Sequence, residues 1–272
     1  MDTKNKNNLS LTFSLSHFLT FSPAHRHTCS GFTLVEIMVT LCILGVMGAV
    51  AGGIYLSVEE EKAYEDTVVI MQDIRKAILG TYTPHIRGIG ISGYVADMGG
   101  LPALNGDGQL ESLWKRGKLQ LPSRYYPLKR IWAGWNGPYI QAPESGFLTD
   151  GWGNGISFRK AGGSLIITSY GADKKLGGAS LDQDITIVIK KEHYMAPVGG
   201  HVAQSISGLS IHYPTDGVLQ SERLTWDDSR NFMSTELDVP IGLRSITANI
   251  REKEKVFVFS VQPAMNWIGT VR

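Results

Sequence analysis

Gly31-Phe32-Thr33-Leu34-Val35-Glu36, continued by the apolar run from Ile37 to Val58, decides how the rest of the chain is read. The 22 residues of that run carry no charge. At a helical rise of about 1.5 Å per residue they reach roughly 33 Å, enough to cross a bilayer. One carboxylate, Glu36, stands just inside the N-terminal end of this segment. A carboxylate in hydrocarbon is costly, so it marks function by default and is owed a partner. Gly45, Gly48, Gly52 and Gly53 punctuate the run, and small residues of this kind let helices approach closely. Basic residues precede the run and Glu59-Glu60-Glu61 follow it, so the N-terminus is expected in the cytoplasm and the bulk outside it.

Beyond the run the periodicity becomes that of a half-buried helix. Tyr64, Val68, Met71, Ile74 and Ile78 recur at helical spacing and are expected on one buried face. Gly80 suits a helix C-terminus, and Thr83-Pro84 forbids continuation. One helix from Phe32 to about Leu79 follows.

Composition narrows the function classes. Apolar residues make up 43% of the 272, enough for a packed core. A formal charge of +1 excludes a strongly basic nucleic-acid binder. Cys29 precedes the membrane run and Cys42 lies within it, so no disulfide is expected in the exported part. Arg26, three residues before Cys29, does not suit a lipoprotein signal.

Gly31-Phe32 and Glu36, ahead of an apolar helix, resemble the class III signal of type IV pilins and type II secretion pseudopilins. The resemblance implies that a prepilin peptidase cuts after Gly31 and N-methylates Phe32. It also implies that Glu36, fifth in the mature chain, meets the freed amine of a neighbouring subunit during assembly. Relatives carry Pro where Gly53 stands here, and Gly52-Gly53 are expected to loosen the helix instead through their low helix propensity. Removal of residues 1–31 takes away Lys4, Lys6 and Arg26 against Asp2, which leaves the mature chain near −1. That leader is longer than is usual, which suggests a later translation start.

Residues 81–150 are rich in Gly, Pro and Trp. Gly88-Ile89-Gly90-Ile91-Ser92-Gly93 spells a dinucleotide fingerprint, but it follows a long helix with no expected strand, so it is read as coincidence. Asn105-Gly106-Asp107-Gly108 reads as a turn, and Leu110 to Leu119 as a short helix.

A second resemblance covers residues 137–189. Gly137-Pro138-Tyr139-Ile140, Asp150-Gly151-Trp152-Gly153-Asn154, Ser169-Tyr170-Gly171-Ala172-Asp173 and Gly177-Gly178 leading to Asp182-Gln183-Asp184-Ile185 are similar to the head of the major type II secretion pseudopilin. Gly151 replaces that family's Pro. Strands are expected at 155–159, 164–169 and 185–189, as a small antiparallel sheet. The resemblance also implies a calcium site. Asp173, Asp182 and Asp184 would supply carboxylates and Tyr170 and Gly177 carbonyls, the hard oxygen donors that calcium takes. Lys174 and Lys175 stand beside it and oppose a cation.

After Lys191 short apolar–polar runs, at 208–213, 218–226, 232–237, 243–250, 256–261 and 267–271, alternate with turn signals. This spacing suggests a β-sandwich. Val239-Pro240-Ile241-Gly242-Leu243-Arg244 followed by Ser245-Ile246-Thr247-Ala248 resembles transthyretin-like, carboxypeptidase-regulatory-like sandwiches, which implies a non-catalytic module.

The expected fold is α+β. Residues 1–31 form a leader, 32–58 a membrane or filament-core helix, 59–189 a pilin-like head with a small antiparallel sheet, and 190–272 an all-β sandwich. The favoured function is a pseudopilin, single-pass in a bacterial inner membrane, polymerising to drive type II protein export. Its expected partners are the peptidase, other pseudopilins, the inner-membrane secretion platform and, through the sandwich, an exported substrate. Nucleic acid is not expected. A type IV pilus subunit is the alternative, although the usual C-terminal cysteine pair is missing. A membrane-anchored enzyme is the third possibility, but no zinc-protease, nucleophile-elbow or P-loop motif is present.

Overall fold

The computed structural model describes residues 32–85, 88–118, 120–233, 238–251 and 253–272. Contacts divide the chain into two compact units that meet between Gly52 and Gly53. Helix α1 (Leu34–Leu79) supplies the described part of the first unit and runs unbroken through Gly52 and Gly53. In the first unit, Leu34–Ala51 is apolar enough to span a membrane, with none of the window buried.

The second unit begins on the later part of α1. Thr67, Met71, Ile74 and Ile78 are its buried stripe, spaced four, three and four apart. Tyr64, expected on this stripe, is 38% exposed, so the buried face is rotated onto Thr67. The helix ends where Gly80, at φ 87°, donates its N–H to the Lys76 carbonyl at 2.6 Å. A Cβ at Gly80 would also collide with the Ser92 carbonyl, so the stop requires glycine twice over.

Next come β1 (Thr81–His85) and β2 (Gly88–Ser92), an antiparallel hairpin. The fingerprint was expected to follow no strand, yet β1 precedes it. Gly88 and Gly90 lie inside β2 itself and not at a strand-to-helix turn, so the segment is a hairpin arm. Helix α2 (Tyr94–Met98) follows, with four of its five residues buried. The helix expected over 110–119 is only a 3₁₀ turn at Glu111–Leu113, because Gly117 and Pro122 leave no room for regular turns.

Strands β3 (Arg124–Tyr126) and β4 (Ile131–Ala133) form a second hairpin. A three-stranded antiparallel sheet is built from β5 (Ser157–Ala161), β6 (Ser164–Ser169) and β7 (Ile185–Ile189). Along β6 alternate residues turn inward, and Leu165 and Ile167 join Phe158 and Ile189 against Met71, Ile74 and Ile78 of α1.

After α3 (Lys191–Tyr194) the chain is all β. The strands are β8 (Met195–Ala196), β9 (Val198–Val202), β10 (Ile206–Thr215), β11 (Val218–Arg223), β12 (Asn231–Met233), β13 (Val239–Pro240), β14 (Gly242–Ile250), β15 (Lys253–Val261) and β16 (Asn266–Val271). A four-stranded sheet runs in the order β11-β10-β14-β15, and a three-stranded one in the order β12-β9-β16. Leu209, Ile211, Ile246 and Ala248 of the first pack with Val198, Val202, Phe232 and Val271 of the second in one apolar cluster. Most pairings are antiparallel, but β16 lies parallel to β9. Tyr194 and Ile241, both beyond the small sheet, belong to the apolar cluster that α1 nucleates. The fold is α+β.

Candidate functional site

The N-terminal site is built on the first turn of α1. Phe32 is 80% exposed, and Gly31, the other residue of the expected cleavage junction, lies outside the described residues. Glu36 accepts through Oε2 from the Thr33 backbone N–H at 2.9 Å and from the Thr33 hydroxyl at 3.0 Å. Thr33 Oγ1 in turn accepts from the Glu36 N–H at 3.3 Å. This reciprocal pair is a capping box, and it starts the helix at Leu34 and not at Phe32. Thr33-x-x-Glu36 has the spacing of that box, a signal open to sequence reasoning but passed over. Within one chain, then, the owed partner of Glu36 is its own Thr33.

The second constellation ties the Asp150–Asn154 motif to α1. Asp150, 4% exposed, accepts from the N–H groups of Trp152 and Asn154 at 3.1 and 2.8 Å, and from the Ser169 hydroxyl at 2.6 Å. Asn154 Nδ2 donates to the Gly171 carbonyl at 2.9 Å. The turn after β6 and the turn before β5 are thereby knitted together. Gly151 N–H donates to Thr67 Oγ1 at 2.9 Å, and a Cβ at Gly151 would strike the Ala63 carbonyl. The departure from Pro thus has a physical use, since Pro has no N–H to donate and no room for its ring. Tyr64 packs edge-on to Trp152 at 6.4 Å between ring centroids.

The expected calcium loop is closed by its own backbone. Ala172 N–H donates to the Leu181 carbonyl at 3.0 Å. Asp173 Oδ1 accepts from the Lys175 N–H at 2.9 Å, and Asp184 Oδ1 from the Gly177 N–H at 3.1 Å. Asp182 sits in a 3₁₀ turn (Ser180–Asp182) whose carbonyl end faces Gly178. Among the described residues no three acidic, His or Cys side chains converge as a metal shell. Asp173 and Asp184 are thus tied to backbone N–H groups of their own loop, in which Asp182, Tyr170 and Gly177 also lie.

A third cluster was not foreseen. Asp97 on α2 is half-buried, and desolvation pushes its carboxyl up to about 6, against help from the Tyr139 hydroxyl and the Arg244 charge. Tyr139 Oη donates to Asp97 Oδ2 at 3.0 Å, and its phenol is held well above its ordinary value by burial and by that carboxylate. Arg244 on β14 is 1% exposed. Its guanidinium donates to the carbonyls of Pro240 at 2.8 Å, Ala96 at 2.9 Å and Leu243 at 2.8 Å, and to that of Ile241. Burial lowers Arg244 to about 9, so it is still a cation at neutral pH. It joins α2 to β14 across 148 residues of sequence, a distance that no local pattern announces.

On the outer side of the four-stranded sheet, His212 Nε2 lies 2.9 Å from Thr247 Oγ1, beside the Lys129–Glu254 ion pair of 2.6 Å. Burial, with the Lys129 charge, lowers His212 to about 4, so this imidazole is neutral at physiological pH and holds no proton to donate as an imidazolium.

Comparison with known proteins places two segments. Residues 91–188 match the family described as type II secretion system, protein G. Residues 26–52 match the prokaryotic N-terminal methylation motif. No curated protein matches the chain. The two matched segments are joined by α1, which starts inside the motif and ends twelve residues before the head match (91 − 79 = 12).

Proposed function

We propose, from the premise that this chain is a pseudopilin subunit of the type II secretion system of the protein G kind, that it works as the polymerising piston of protein export. Its methylation motif implies processing by prepilin peptidase and assembly with other pseudopilins. The observation that carries the reading is the first turn of α1, where an exposed Phe32 precedes a carboxylate held, among the described residues, by a hydroxyl and an N–H of its own helix start. A cationic amine from a neighbouring, processed Phe32 is a stronger partner for that carboxylate than a neutral donor. In lipid such a pair also offsets part of the desolvation of both charges.

Orientation belongs to the same proposal, with the N-terminus cytoplasmic and the Gly53–Arg272 unit periplasmic. It rests on the basic residues before the span and Glu59-Glu60-Glu61 after it. The secretion platform is proposed to grip the membrane segment, and the β-sandwich to meet exported protein. Calcium is proposed at the 170–184 loop, held by the Asp173, Asp182 and Asp184 carboxylates together with the Tyr170 and Gly177 carbonyls. Lys174 and Lys175 keep that site weak.

Maturation is the direct test. Mass spectrometry of the membrane-extracted chain should find N-methylated Phe32 as the first residue. An intact Met1 terminus in cells that contain the peptidase would overturn the reading.

A further inference from the structure

The outer face of the four-stranded sheet carries a polar basin that the pseudopilin reading does not use. Leu209, Ile211, Ile246 and Ala248 turn inward to the sandwich core, so the residues that alternate with them turn outward. Strand register aligns these outward residues in rows. Arg223, Ser210 and Thr247 stand side by side across β11, β10 and β14, and Ser221, His212 and Ser245 make the next row. On the other flank Gly208, Asn249 and Glu254 align across β10, β14 and β15. A Cβ at Gly208 would stand 3.2 Å from Asn249 Nδ2, so the glycine leaves that amide its room. Lys129, from the turn of the β3–β4 hairpin, walls the basin through its ion pair with Glu254. The cavity so enclosed measures about 340 Å³.

Hydroxyls, an amide and charged groups dominate the lining, and among the described residues its one ring is the His212 imidazole. Lys129 and Glu254 cancel in charge, and His212 is neutral. Arg223 is left, with no carboxylate partner among the described residues. Its neighbour Glu222 lies on the opposite face of the sheet, where it accepts from the Tyr213 hydroxyl. His212 is 1% exposed, and its Nδ1 is buried with no hydrogen-bond partner among the described residues. An orphan of this kind is costly, and beside a polar cavity it points to a group supplied from outside the chain.

We infer that the basin binds a small hydroxyl-rich carboxylate, a sugar acid of the uronic class, with the carboxylate on Arg223 and ligand hydroxyls on Ser210, Ser221, Thr247 and Asn249. A guanidinium fork matches the two oxygens of a carboxylate. One unpaired positive charge balances one carboxylate, whereas a phosphate monoester brings roughly two negative charges at neutral pH. Serine and threonine hydroxyls both donate and accept, as ligand hydroxyls also do. With so little apolar wall, the basin has nothing to hold a lipid tail or an aromatic ligand. The inference goes beyond the pseudopilin reading and does not require it.

The test uses the full chain in a zwitterionic detergent that carries no sugar, with glucuronate as the probe and calorimetry and saturation-transfer NMR as readouts. Saturable binding of glucuronate in the millimolar range is expected. Glucose, which lacks the carboxylate, and acetate, which lacks the hydroxyls, should each bind roughly tenfold more weakly. Arg223→Gln should weaken glucuronate roughly tenfold and Ser210→Ala roughly threefold, with thermal unfolding confirming that each variant is folded. Lys255→Gln, on β15 but paired with Ala248 of the inward face, should leave the affinity unchanged. No saturable binding, equal affinity for acetate or glucose, tighter binding of glucose 6-phosphate, or full affinity in Arg223→Gln would each overturn the inference. Phe32 methylation is read separately on the same sample, so failure here does not touch the assignment as a pseudopilin.

Discussion

Asp97→Asn isolates the cost of a half-buried charge at the junction of α2 and β14. In the folded chain the carboxyl is raised from 3.8 to about 6, chiefly by burial. A carboxyl raised on folding stabilises the fold only while protonated. Its contribution is thus fully present below pH 3.8 and is lost as the pH climbs through about 6. With each tenfold step costing about 1.4 kcal/mol, the loss over that window is about 3 kcal/mol. Asparagine keeps an oxygen for the Tyr139 hydroxyl but never ionises. The variant's stability relative to the parent should therefore grow by about 2.5 kcal/mol between pH 4 and pH 7.5. Denaturant unfolding of the full chain in detergent, followed by tryptophan fluorescence at several pH values, reads this difference directly. Other carboxyls titrate in both proteins and cancel. Tyr139→Phe removes a bond that favours the ionised form, so its pH window should move upward. Parallel pH profiles for parent and Asp97→Asn would refute the reasoning, and would mean that the Arg244 charge compensates Asp97 in full.

Three other outcomes follow from particular contacts. Gly151→Ala should cost about 1–3 kcal/mol by overpacking against the Ala63 carbonyl, seen as a lower melting temperature. Gly155→Ala, with open space around its Cβ, is the neutral control. Glu36→Leu should still be cut, methylated and membrane-inserted, yet form no filaments, and normal filaments by electron microscopy would remove the proposed pairing with the Phe32 amine. Millimolar calcium should raise the melting temperature and chelator lower it. Asp184→Ala should erase that response and Asp107→Ala preserve it, while indifference of the parent to calcium would leave the loop a plain turn.

Features that repeat at short range were legible in the sequence. An uncharged run of 22 residues must be a helix in lipid, and it is. The strands at 164–169 and 185–189 were read to the residue because alternating side chains record which face is buried. The methylation segment and the head were legible too, through Gly31, Phe32 and Glu36 and the turn motifs after Gly137. What lay outside that reach is whatever depends on two distant segments meeting. Thr67 is absent from the expected stripe, and its buried hydroxyl accepts from the N–H of Gly151, 84 residues on. The parallel seat of β16 beside β9 leaves no trace in either strand. Arg244 stands within an apolar–polar β run that gives no sign of its burial. Only the packing of α2 on β14 encloses it among four carbonyls, because burial is set by what the rest of the chain places opposite a residue and not by its neighbours in sequence.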